Sequence, residues 1–170
     1  MAPRYHITMA YMLACTAFLS CTHEPTEVGV DGELYERART AEANVWYAFN
    51  DTLLGRSSGS GHSAPYLRTR YNATAATVLD STGRVVTDTI FPQGSLIVKD
   101  LMNDATTLER YAIMLKRSSD PAADADGWVW GYIFPDGEVI VSAADQGAVC
   151  RNCHGQTGQI DRTLMNKYFP

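Results

Sequence analysis

Between residues 66 and 142 the chain alternates short runs of β-branched, aromatic and aliphatic residues with turn-forming clusters. "YLRTRYNATAATVL" (66–79) and "VVTDTIF" (85–91) flank "DSTGR"; "SLIVKDLM" (95–102) follows "PQG"; "ERYAIMLKR" (109–117) comes next; "WVWGYIF" (128–134) and "EVIVS" (138–142) flank "PDG". Each cluster supplies the Pro, Asp or Gly that a tight reversal needs, which predicts hairpins of an antiparallel sheet. Upstream, residues 34–54 place Tyr35, Ala38, Ala41 or Glu42, Val45, Phe49 and Leu53 at three- and four-residue spacings. That spacing predicts an amphipathic helix, ended by the Gly/Ser loop "GRSSGSGHSAP". "SSDPAADADG" (118–127) reads as a solvated loop without the alternating ligands of a calcium site, and "DRTLMNKYF" (161–169) as a short closing helix or turn. The expected fold class is α+β: a predominantly antiparallel β-sheet with an N-terminal helix and a C-terminal segment that carries the chemistry.

A chain of 170 residues, 45% apolar and 19% charged, holds one core and not two, so residues 34–170 are read as a single domain after a polar linker at 22–33. The net charge of −5 argues against nucleic acid, which needs a positive field to displace counterions from phosphates. Residues 1–21 differ from the rest, with a basic Arg4, an apolar run from Met9 to Leu19, and Ser20 before Cys21. This reads as an export signal whose apolar run is too short to span a bilayer. Its end is similar to the lipobox of bacterial lipoproteins, with Phe18 where that motif usually has Leu. The expected location is the periplasm or the cell envelope, with membrane attachment only through a lipid on Cys21.

Cys15 and Cys21 belong to that signal, which leaves Cys150 and Cys153 as the last two of four cysteines. An exported chain is free to form disulfides, yet it holds no spare pair, so these two thiols point to other chemistry. Cys150-Arg151-Asn152-Cys153-His154 is the C-x-x-C-H of covalent haem attachment. The two thiols add to the haem vinyl groups as thioethers and the adjacent imidazole binds the iron. A zinc site needs two more ligands, and His23 and His62 both lie in polar segments taken to be flexible. A redox dithiol of the thioredoxin kind expects a βαβ setting, not an antiparallel meander. The cofactor expected is one haem c held by Cys150 and Cys153, with His154 as the metal ligand. Only sixteen residues follow His154, unlike the small helical electron carriers, whose motif comes early. Six-coordinate electron transfer stays open as an alternative, with His62, Met102, Met114 or Met165 as second ligand.

"FPQGSLIVKDL", "YAIMLKR", "GWVWGYIF", "CRNCH" and "DRTLMNKYFP", in this order from about residue 64 to the end, resemble the cytochrome P-460 family and its relative cytochrome c′-beta. The resemblance implies a five-coordinate c-type haem on a mainly antiparallel β domain, often in a homodimer. One branch oxidises hydroxylamine and carries a lysine bond to the porphyrin edge. The other binds nitric oxide and similar gases without that bond. Lys99 falls on the cross-linking position. It also shares a strand face with Ile97 and Leu101, so a charge sits in an apolar row; if that face is internal, desolvation raises the neutral, nucleophilic fraction of the amine. Where the hydroxylamine-oxidising branch has a distal carboxylate, this chain has Lys116, with Glu109 the nearest acid before it. Lys99 and Lys116 are therefore the catalytic candidates. The missing acid favours nitric oxide capture or sensing over hydroxylamine oxidoreductase activity, with the redox partner unidentified.

Overall fold

The computed structural model describes Met1 and residues 29–170. The export signal at 1–21, His23 and most of the 22–33 linker lie outside the described residues. Helix α1 (Val30–Arg39) is followed by strands β1 (Ala43–Trp46), β2 (Leu54–Gly55) and β3 (Tyr66–Asn72), and by the helical turn α2 (Ala73–Ala76). Strands β4 (Leu96–Met102), β5 (Leu108–Lys116), β6 (Trp128–Ile133) and β7 (Val139–Val141) come next, and the short helices α3 (Arg151–His154) and α4 (Met165–Tyr168) close the chain. All seven strands form one antiparallel sheet in the order β1-β3-β4-β5-β6-β7, with β2 also on β3. The mainly-β α+β architecture read from the sequence is the one observed. Among the described residues no helix is long and apolar enough to cross a membrane.

Strand alternation divides the core in two. Leu96, Val98, Ile113, Leu115, Val129 and Ile133 project from one face against Leu34 and Ala38 of α1. Leu67, Tyr71, Ile97, Leu101, Met114, Trp128 and Trp130 project from the other, where Phe91 and Met165 cover part of them. Helix α1 sits so close that a Cβ at Gly131 would lie 2.9 Å from Leu34 Cδ1. Asp31 ties its start to the end of the sheet, accepting from Ser142 Oγ and the Ala143 N–H, both at 2.6 Å. Its charges follow the helix dipole, with Asp31 and Glu33 in the first turn and Arg37 and Arg39 in the last.

Three expectations are corrected. The helix expected at 34–54 spans Val30–Arg39, and its second half is β1, a turn and β2. Val45 and Trp46 pair with Tyr71 and Arg70, and Ala48 and Phe49 adopt positive φ of 53° and 51°, which no helix continues through. Cross-strand pairing there outweighs an i, i+4 pattern that local spacing also satisfies. The strand expected at 85–91 reduces to one bridge between Leu79 and Val85, because Asp88 turns the chain at φ 58° before Phe91 is buried. The loop at 118–127 is not wholly solvated. Asp124 is buried, and its carboxylate accepts from the Trp128 and Asp126 N–H groups and from Trp130 Nε1, each at 2.9 Å.

Candidate haem site

The motif enters its helix through Gly147, whose φ of 65° puts its carbonyl within reach of the Cys150 and Arg151 N–H groups, both at 2.9 Å. A single helical turn follows, and the three-residue spacing sets Cys150 and Cys153 on one side of it. Both thiols are free; Cys150 is half-buried and Cys153 exposed. Burial pushes the Cys150 thiol pKa up.

His154 follows, with Nδ1 2.6 Å from the Arg162 carbonyl oxygen. A carbonyl only accepts, so Nδ1 carries the proton and Nε2 keeps its lone pair. Burial lowers the pKa of His154 to about 4, so the ring is neutral at pH 7. This is how a metal-binding imidazole is prepared: the outer nitrogen is fixed by a backbone acceptor and the inner one is left bare. The Trp130 indole meets the ring edge-on with centroids 5.0 Å apart, and Asp124 fixes that indole.

The Arg162 carbonyl is positioned by strained backbone, since Asp161 and Arg162 both have positive φ, 41° and 71°. Lys116 is part of what holds this conformation. Its Nζ donates to both oxygens of the Asp161 carboxylate at 2.9 Å and to the Asp126 carbonyl at 2.8 Å, and lies 4.7 Å from the Trp128 ring centre. Asp161 also accepts from the Phe91 N–H, and Arg162 Nε donates to Asp126. Lys116 is thus not brought to the cavity that His154 faces; its reach to the imidazole runs through Asp161 and the Arg162 carbonyl. Glu109 pairs with Arg110, which stacks 5.1 Å over Tyr132 and over Phe134.

That cavity lies between the sheet and the segment from Val149 to Phe169, with about 1160 Å³ of empty space counted out to its mouth. Cys150, Cys153, His154, Lys99, Tyr71, Met114, Met165, Trp130 and Tyr132 all line it. Among the described residues that line it there is no aspartate or glutamate. Thr69 Oγ1 donates to Met165 Sδ at 3.2 Å. The Tyr71 hydroxyl is buried without a partner. Lys99 stands mid-strand between Thr69 and Ala112 on this face, so the internal face required by its sequence reading is present. Burial alone lowers its pKa to about 8. The surface it retains faces the cavity.

One residue that the sequence did not recommend also arrives here. His62 leaves the Gly/Ser loop to line the cavity, its Nδ1 3.0 Å from Tyr132 Oη and its ring 6.3 Å from that of His154. The sequence had named it only as one of four possible second ligands of a six-coordinate iron, with no motif to recommend it. No known protein family and no curated protein matches the chain.

The donor set fits a covalently held haem. Two thiols one helical turn apart, a neutral imidazole with a bare Nε2, and an unpaired Tyr71 hydroxyl open on one largely apolar space. Among the described residues no three His, Cys, Asp or Glu side chains converge as a metal cage.

Proposed function

We propose that this chain is an exported cytochrome of the P-460 and c′-beta kind, with one haem c linked through Cys150 and Cys153, and that it captures or senses nitric oxide or a similar small ligand. The observation that carries the reading is the Arg162 carbonyl on His154 Nδ1, which leaves Nε2 bare beside two cysteines in one cavity. When bound, the haem would supply an iron centre able to take a diatomic ligand. Cys150 and Cys153 would hold the group through thioethers, each by addition of S–H across a vinyl double bond, without net oxidation or reduction. His154 orients it, and Trp130, Met114 and Ile97 exclude water from its face. Capture is favoured over turnover because among the described residues no carboxylate lines the cavity to take protons from a bound substrate.

Hydroxylamine oxidation is the second reading, and Lys99 favours it. With a pKa near 8 in the cavity, its amine has a far larger neutral fraction at pH 7 than an ordinary lysine, as bond formation to the porphyrin edge requires. Export, a lipid on Cys21 and a homodimer complete the proposal, their evidence being the sequence and the resemblance alone.

The test is expression with its signal in a bacterium that attaches haem c. Peptide mass analysis is expected to find haem on Cys150 and Cys153, and ferrous protein to change spectrum on titration with nitric oxide. Loss of covalent haem on replacing both cysteines completes the expected pattern. Protein recovered without haem on those peptides, or a ferrous spectrum indifferent to nitric oxide, refutes it. Haem also on Lys99, with hydroxylamine consumed in the presence of an electron acceptor, selects the second reading.

A further inference from the structure

The carbonyl that accepts from His154 belongs to a turn built on strained backbone. Ile160 and Thr163 exchange both backbone hydrogen bonds, at 2.9 and 2.8 Å, around Asp161 and Arg162, whose φ of 41° and 71° are both positive. A two-residue turn of this kind favours Asn or Asp first and glycine second. Asp161 suits its place, but an arginine stands where glycine would be free of strain. The turn brings the Arg162 carbonyl oxygen to 2.6 Å from His154 Nδ1.

Such strain persists only where the surroundings hold it, and here both side chains of the turn are tied down. The Asp161 side chain, 8% exposed, accepts from Lys116 Nζ on both oxygens at 2.9 Å and from the Phe91 N–H at 2.8 Å. Arg162 Nε donates to the Asp126 carboxylate at 2.7 Å, and Lys116 Nζ also reaches the Asp126 carbonyl at 2.8 Å. The Asp126 N–H donates in turn to Asp124, whose other oxygen holds the Trp130 indole edge-on to the His154 ring. Both supports of the imidazole, the carbonyl and the indole, therefore belong to one network. All three carboxylates are engaged within it, so His154 Nδ1 meets a neutral acceptor and not an anion.

We propose that Asp161 is a positioning residue for His154: by locking the turn it keeps the Arg162 carbonyl on Nδ1, and so sets how strongly Nε2 donates to iron. This rests on the haem reading above and deepens it. A proton drawn toward the carbonyl makes the opposite nitrogen more basic, which favours ferric over ferrous iron. A neutral carbonyl draws that proton less than a carboxylate does, so the effect depends on the carbonyl staying in place.

The experiment uses the holoprotein, with haem on Cys150 and Cys153 confirmed by mass in each variant. Asp161→Gly keeps the positive φ accessible but removes the carboxylate, and Asp161→Asn keeps an acceptor for the Phe91 N–H. Asp161→Gly is expected to weaken the preference for ferric iron about tenfold, a rise in potential of about 59 mV, with a smaller rise in Asp161→Asn. The Asn variant carries the same comparison should the Gly variant fail to attach haem. In the carbon monoxide complex of the ferrous protein, the His154 Nδ1 proton exchanges with water faster in Asp161→Gly than in wild type. Adding Lys116→Met to Asp161→Gly removes the stranded cation, so the melting temperature recovers in part while potential and exchange stay shifted. Potential and exchange that match wild type in the Asp161 variants, or shifts that revert with stability in the double variant, overturn positioning and leave the haem reading intact. Absence of haem from Cys150 and Cys153 in the wild type removes the haem reading and this inference with it.

Discussion

Replacing Lys99 by methionine, similar in length but uncharged, removes the one amine that the sheet presents to the cavity. The fall of its pKa from 10.5 to about 8 corresponds to about 3 kcal/mol of differential interaction, an upper bound because part of its surface faces cavity water. A lysine whose pKa is lowered by folding destabilises the native state. Below pH 8 both states hold the proton and the whole penalty applies. Between pH 8 and 10.5 the unfolded chain binds more protons, so stability rises with pH; above 10.5 the penalty is gone. Lys99→Met is therefore expected to be more stable than wild type by as much as 3 kcal/mol at pH 7, with the two converging by pH 11. Urea denaturation between pH 6 and 11, on chains made haem-free by Cys150→Ser and Cys153→Ser, measures it. The difference between the curves cancels tyrosine titration and isolates Lys99. Curves that run parallel and superimpose across the range would show a hydrated ammonium, and the case for a nucleophilic Lys99 would go with them.

Lys116→Met strips Asp161 of its cation while leaving the carboxylate buried, and is expected to cost about 3–5 kcal/mol in thermal or urea unfolding; adding Asp161→Asn should recover part of it. If Lys116 positions His154 through Arg162, the same variant shifts the His154 ring resonances, whereas a shift confined to Trp128 leaves the lysine a purely local role. Gly147→Ala places a Cβ inside the Trp130 indole at a φ of 65°, and is expected to destabilise by about 2 kcal/mol or more. Near-UV circular dichroism should lose tryptophan signal in that variant, and an unchanged melting temperature would contradict the packing described.

The strands from β4 to β7 and their turns were readable because strand alternation and turn residues are local signals. The motif was readable for the same reason, since Cys150, Cys153 and His154 lie within one helical turn. Lys99 stood out as a charge between Ile97 and Leu101, and burial on that face gives it the lowered pKa that the alternation suggested. Residues 40–54 misled because three- and four-residue spacings also occur in an irregular segment, and pairing of Val45 and Trp46 with β3 is a contact that local periodicity does not carry. Lys116 illustrates the limit within one strand. It shares a strand face with Ala112 and Met114, which line the cavity, but Asp161, 45 positions later, makes it a buried partner instead of a cavity residue. His62 is the extreme case: its place depends on Tyr132 seventy residues onward and on the packing of Gly61 against Cys153. By itself the sequence determined the chemistry one turn of chain can hold, two thiols and an imidazole, and the sheet it follows. Tertiary structure decided what faces that imidazole, because side chains far apart in the chain meet only once the sheet and the closing segment have packed.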